Sequence, residues 1–68
     1  MRVKLREWRL KRFLSQRELA EKSGVRQPTI ARLETRAQRP RPKTVRVLAK
    51  ALGVKPSELV EWEAGELD

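Results

Sequence analysis

Residues 15–34 read SQRELAEKSGVRQPTIARLE, and this run fits one packing arrangement. Ser15 and Glu18 have the S-x-x-E spacing of a capping box, in which each side chain satisfies a free N–H at a helix start. Leu19 and Ala20 face inward on the helix that follows. Ala20 is small where two helix axes can approach closely. Gly24 comes after this pattern, where the chain turns through positive φ and glycine alone does so without strain. Pro28 suits the first turn of a second helix, since no intrahelical N–H bond is lost there. Ile30 and Leu33 then lie on one face, three residues apart. The run therefore predicts two short helices, about 16–23 and 27–34, joined at a steep angle by a tight turn. Gln27, Thr29 and Arg32 are left pointing away from the packed face.

The rest of the chain supports an all-α reading. Alternating β-branched residues are absent, and Gly and Pro fall between the helical segments rather than inside them. No strand is expected. A first helix should cover about residues 3–13, with Leu5, Trp8 and Arg12 on one face. Residues 35–41, TRAQRPR, read as a loop. A fourth helix runs from Pro42 to Leu52, with Val45, Leu48, Ala49 and Leu52 at helical spacing and Gly53 as its stop. A short fifth helix runs from Pro56 to Trp62. These segments make one compact five-helix bundle, a domain over 1–62, with an acidic tail over 63–68.

Composition removes most chemistries. With 68 residues the core is small, near the lower limit for independent folding. The chain has no Cys, so it carries no disulfide framework and no thiolate metal site. It has no His, the commonest general base and zinc ligand. Its carboxylates form no convergent pair beside a Gly-rich phosphate loop. An enzyme is not expected, nor a metal or cofactor. No apolar stretch is long enough for a membrane span. The basic N-terminal residues lack the continuous apolar segment of a secretory signal, so the expected location is the cytoplasm.

Charge points to a polyanion. Lys and Arg number 17 against 9 acidic residues, a net charge of +8. The first 50 residues hold 16 basic and 4 acidic groups, whereas residues 51–68 hold 1 and 5. A solvated charged surface does not explain this segregation; a partner such as nucleic acid on one side does. Gln, Thr and Arg on the outer face of the second of the paired helices are the groups that read base edges in a DNA major groove. The pairing is that of a helix-turn-helix.

The stretch from about Leu5 to Val60 resembles the Cro and phage-repressor type of helix-turn-helix domain, a family of prokaryotic and phage transcription regulators. The likeness is carried by LSQRELAEKSGV, QPTIARLE and LAKALGV, in that order and at these distances. It implies a lambda-repressor-like bundle that binds double-stranded operator DNA as a homodimer, with helix 3 in the major groove; the bound regulator represses by blocking polymerase or activates by touching it, with repression the expected outcome. It also implies roles for single residues. Gln27, Thr29 and Arg32 would contact bases. Gln16 would sit near a backbone phosphate and hydrogen-bond Gln27. Arg26, Arg36, Arg39, Arg41 and Lys43 would contact phosphates, which need no exact side-chain geometry. Arg9 and Glu34 would form a structural ion pair. A phage-type repressor, an antitoxin with a toxin as protein partner, and a stand-alone regulator all fit.

Three positions depart from the family pattern. Relatives commonly carry Gly where this chain has Phe13, and Phe is strained in the left-handed region. Helix 1 is therefore expected to run longer or end differently. Arg26 replaces the usual Ser or Thr cap of helix 3, and Thr35-Arg36 replace the Gly that follows it. For dimerisation, the C-terminal segment has the opposite charge and spare apolar groups. Leu59, Val60 and Trp62 are the expected interface, with Trp62 either its anchor or a cap on the core. Two other classes compete with a DNA regulator. A helical bundle that meets an acidic protein would centre its interface on aromatic anchors, which helix 3 lacks. An RNA binder would array its aromatics as a stacking platform, which one Phe and two Trp do not do here.

Overall fold

Helix 1 begins at Leu5 rather than Val3, because the residues before it pair as a strand. In the computed structural model, which describes residues 2–61, the order is β1 (Arg2–Val3), α1 (Leu5–Lys11), α2 (Gln16–Ser23), α3 (Gln27–Glu34), α4 (Pro42–Leu52), α5 (Pro56–Leu59) and β2 (Val60–Glu61). The domain is all-α, with five helices among the described residues and one two-residue ladder. That ladder is antiparallel and pairs Arg2 with Glu61 and Val3 with Val60. It corrects two expectations: a strand is present, and α5 stops at Leu59 instead of running to Trp62. The Lys4 N–H donates to the Leu59 carbonyl at 2.8 Å, and the Lys4 ammonium pairs with the Glu61 carboxylate. The two ends of the described chain are thereby held together.

α2 starts as the capping box requires. The Ser15 Oγ accepts from the Glu18 N–H at 3.0 Å, and Glu18 Oε1 accepts from the Ser15 N–H at 2.9 Å. The bond from the Ser15 N–H, with the Ser15 hydroxyl beside it, holds the Glu18 carboxyl below its ordinary range. Gly24 ends the helix at φ 79°. α4 ends at Gly53, φ 71°, where the Val54 N–H reaches back to the Ala49 carbonyl and the Gly53 N–H to Lys50. This is the Schellman closure, which uses carbonyls that the last turn would leave free.

The same closure ends α1 and α3, but without glycine. The Leu14 N–H bonds Arg9 O and the Phe13 N–H bonds Leu10 O, with Phe13 at φ 56°. The Ala37 N–H bonds Arg32 O and the Arg36 N–H bonds Leu33 O, with Arg36 at φ 61°. α1 therefore ends early, at Lys11, and not by running through Phe13. The left-handed conformation costs an L-residue about 1–2 kcal/mol. At Phe13 the side chain is 92% exposed, so the ring's packing does not offset that cost.

The core is a single cluster. Leu5, Leu19, Ile30, Leu33, Leu48, Ala49, Leu52, Leu59 and Val60 are all 2% exposed or less. α2 packs on α3 and α4, α1 on α3, and α4 on α5. Trp8 is half-buried against this cluster; its Nε1–H donates to the Glu58 carbonyl at 3.0 Å, and Lys11 and Arg12 lie over its ring. Arg12 Nε also donates to the Leu52 carbonyl at 2.8 Å. A cation thus sits at the C-terminus of α4, where the helix dipole favours it.

Candidate nucleic-acid interface

The burial of Ile30 and Leu33 fixes which side of α3 faces outward. At about 100° per residue, Gln27, Pro28, Ala31, Arg32 and Thr35 share the opposite side. Gln27, Pro28, Arg32 and Thr35 are exposed and Ala31 is half-buried. Gln27 and Arg32 lie at the two margins of this face. Thr29 does not share it. Two residues past Gln27, it turns onto the flank toward Leu33 and is half-buried. Residue type points to polar groups and passes over Pro28 and Ala31; the helical period alone places them on this face.

The start of α3 is built as the sequence indicates. Arg26 is its N-cap, extended at φ −63° and ψ 142°, with no side-chain cap bond. Its guanidinium is exposed. The turn ahead of it is held by the Ser23 Oγ, which accepts from the Val25 N–H at 3.1 Å.

The end of α3 is tied to α1 and α2 through one carboxylate. Arg9 Nε donates to Glu34 Oε2 at 2.7 Å and Nη2 to Oε1 at 2.9 Å. Arg9 Nη1 donates to the Leu14 carbonyl at 2.9 Å, so the guanidinium is held on three sides. The two side chains are only 11% and 4% exposed. Gln16 Nε2 adds a third donor to Glu34 Oε1, at 3.2 Å. Gln16 therefore bonds Glu34, not Gln27. Burial alone would raise the Glu34 carboxyl. The donors from Arg9 and Gln16 and the charges of Arg9 and Arg6 outweigh it and hold the carboxyl low. The hydrogen bond from Arg9 to Glu34 in turn raises the guanidinium against its own burial.

Beside this network is a crevice of about 240 Å³, bordered by Arg6, Gln16, Ala31 and Thr35. Arg6 was not among the residues singled out in the sequence. It is exposed, and its charge reaches Glu34 across the crevice. It borders the crevice together with Ala31 and Thr35, on the side of α1 toward α3.

Past α3, residues 36–46 hold five basic groups and no acidic one. Arg36, Arg39, Arg41, Lys43 and Arg46 are exposed, and none joins an ion pair among the described residues. Thr35 Oγ1 is occupied, donating to the Ala31 and Arg32 carbonyls. Pro40 is buried and anchors the loop, and Arg41 is the extended N-cap of α4.

Two of the three expected dimer residues are corrected. Leu59 and Val60, 1% and 2% exposed, belong to the chain's own core. Trp62 and the acidic tail lie outside the described residues. Among the described residues, a largely apolar cleft of about 490 Å³ lies between α4 and α5, lined by Pro40, Pro42, Val45, Arg46, Pro56, Ser57 and Val60.

Among the described residues no group of carboxylates could hold a metal ion, and no helix is long and apolar enough to cross a membrane. A family model described as helix-turn-helix matches residues 5–66. None of the curated proteins matches the chain.

Proposed function

We propose, from the premise that this chain belongs to the Cro/C1-type helix-turn-helix family of phage repressors and related DNA-binding regulators, that it reads a specific duplex site through α3. The observation that carries the proposal is the outer face of α3, which ends in a helix turn locked by the Arg9–Glu34 pair. Such a lock fixes the angle at which Gln27 and Arg32 leave the domain. Glutamine can pair with adenine and arginine with guanine, each by two hydrogen bonds. Arg26, Arg36, Arg39, Arg41 and Lys43 then flank the helix as phosphate contacts that set its register. Gln16 joins them at the start of α2.

One helix covers only a few base pairs. A homodimer with two-fold symmetry reads two half-sites one turn apart, roughly 34 Å. With Leu59 and Val60 in the core, the largely apolar cleft between α4 and α5 is the face proposed for the second copy. Occupancy of an operator is the mode of action, and repression follows where that site overlaps a promoter. Such a regulator works in the cytoplasm, without a cofactor and without catalysis.

The test is site selection from a random duplex library, followed by affinity measurements with Gln27→Ala and Arg32→Ala. Each variant should lose about 1–3 kcal/mol on the selected site and much less on random DNA. Equal losses on both duplexes would make these side chains backbone contacts. Circular dichroism checks that α3 remains folded.

A further inference from the structure

Over the first half of α3 the centre of the outer face offers no hydrogen-bonding group; Thr35, at the far end of that face, turns its hydroxyl back onto the Ala31 and Arg32 carbonyls. The polar readers of the face, Gln27 and Arg32, stand at the margins. Between them lie the Pro28 ring, exposed, and the Ala31 methyl, half-buried. Proline has no backbone N–H, and the Ala31 carbonyl already accepts from the Thr35 N–H and Thr35 Oγ1. A base-edge donor or acceptor lying against this strip would lose its water and gain no partner, at a cost of about 1–3 kcal/mol. The major groove has one apolar group, the thymine 5-methyl.

We infer that Pro28 and Ala31 form an apolar reader for thymine, placed between the bases read by Gln27 and Arg32. The inference rests on the DNA reading above and adds a base preference to it. The spacing suits it: three residues of helix rise about 4.5 Å, against about 3.4 Å per base step. The two groups, about 5–6 Å apart on one face, can therefore both touch one methyl. Thr29, whose own methyl is the obvious alternative, is turned onto the half-buried flank and does not reach this strip.

The test replaces each thymine of the selected site, one at a time, with deoxyuridine. This removes the methyl and leaves every hydrogen-bonding group in place. One position per half-site should weaken binding about fourfold, the value of one buried methyl-sized group. Ala31→Gly and Pro28→Ala should each reduce that discrimination toward unity while keeping the salt dependence of binding. Ala31→Gly lowers helix propensity, so Pro28→Ala serves as the variant that keeps the fold. If the parent selects a site yet tolerates uracil at every thymine, the thymine assignment is wrong and DNA recognition stands. The same holds if the uracil penalty is unchanged in both variants. A parent that selects no site at all removes both readings.

Discussion

Arg9 Nε lies 2.7 Å from Glu34 Oε2, joining α1 to the end of α3 across 25 residues of sequence. Both side chains are almost fully withdrawn from water. Removing one partner of such a pair costs more than the intact pair contributes, because the other charge stays buried without compensation. Glu34→Ala should destabilise the domain by about 3 kcal/mol and lower the melting temperature by more than about 10 °C. A double-mutant cycle with Arg9→Ala should show strong coupling. Additive losses would mean that the two charges act separately.

The same carboxylate sets the acid limit of stability. Glu34 has a depressed pKa in the folded state. Its contribution is therefore complete above the ordinary carboxylate value of about 4.3 and is lost as the pH falls through the depressed one. Glu18 and Glu61 are lowered as well, by Ser15 and Lys4 respectively, and act in the same direction. With no histidine in the chain, stability should be flat from about pH 5 to 8. Thermal melts from pH 8 to 2 should show a decline confined to the acid arm, and shallower in Glu34→Gln. An equal acid slope in that variant would contradict the assignment.

Phe13 and Arg36 occupy equivalent left-handed positions, yet they should respond differently to glycine. Each strains the backbone at a helix end. Phe13→Gly should raise stability by about 1 kcal/mol and leave DNA affinity unchanged. Arg36→Gly should stabilise by a similar amount but weaken binding on every duplex, because it removes a cation beside α3. Unchanged affinity in Arg36→Gly would take Arg36 out of the phosphate set.

Much of this architecture is legible in the sequence because its signals are local. The Ser15–Glu18 box, the glycine stops at Gly24 and Gly53, and the periodic apolar residues of α4 each act within one or two turns. The β1–β2 ladder joins Arg2–Val3 to Val60–Glu61. Two residues carry no alternation, so nothing local announces it. The fate of Leu59 and Val60 follows from that ladder and could not be read from their apolar character, which suits a core and an interface equally. At the candidate site, the type of each side chain suggested what it could contact. Its direction came only with the helix phase, which moved Thr29 off the face and brought Pro28 and Ala31 onto it. No pattern favoured Arg6 over the other cations of α1; its placement depends on how α1 crosses α3.

Ser57 lies exposed in the cleft between α4 and α5, where a second copy is proposed to sit. Ser57→Glu places a charge there and also suits the first turn of α5, so the monomer should stay folded. Sedimentation should show less dimer. Affinity for palindromic sites should fall toward that for half-sites, which should itself be nearly unchanged. Dimerisation equal to the parent would exclude this cleft as the interface.

The most direct measurement is the equilibrium affinity of the parent chain for its selected duplex and for a scrambled one, taken across a range of salt. If about six phosphates are neutralised per dimer, log K against log[salt] should slope roughly −5 on the selected site. The selected site should also bind tighter than the scrambled one at every salt concentration. A slope near zero, or equal affinity for the two duplexes, would contradict the reading of α3 as a sequence-specific DNA helix.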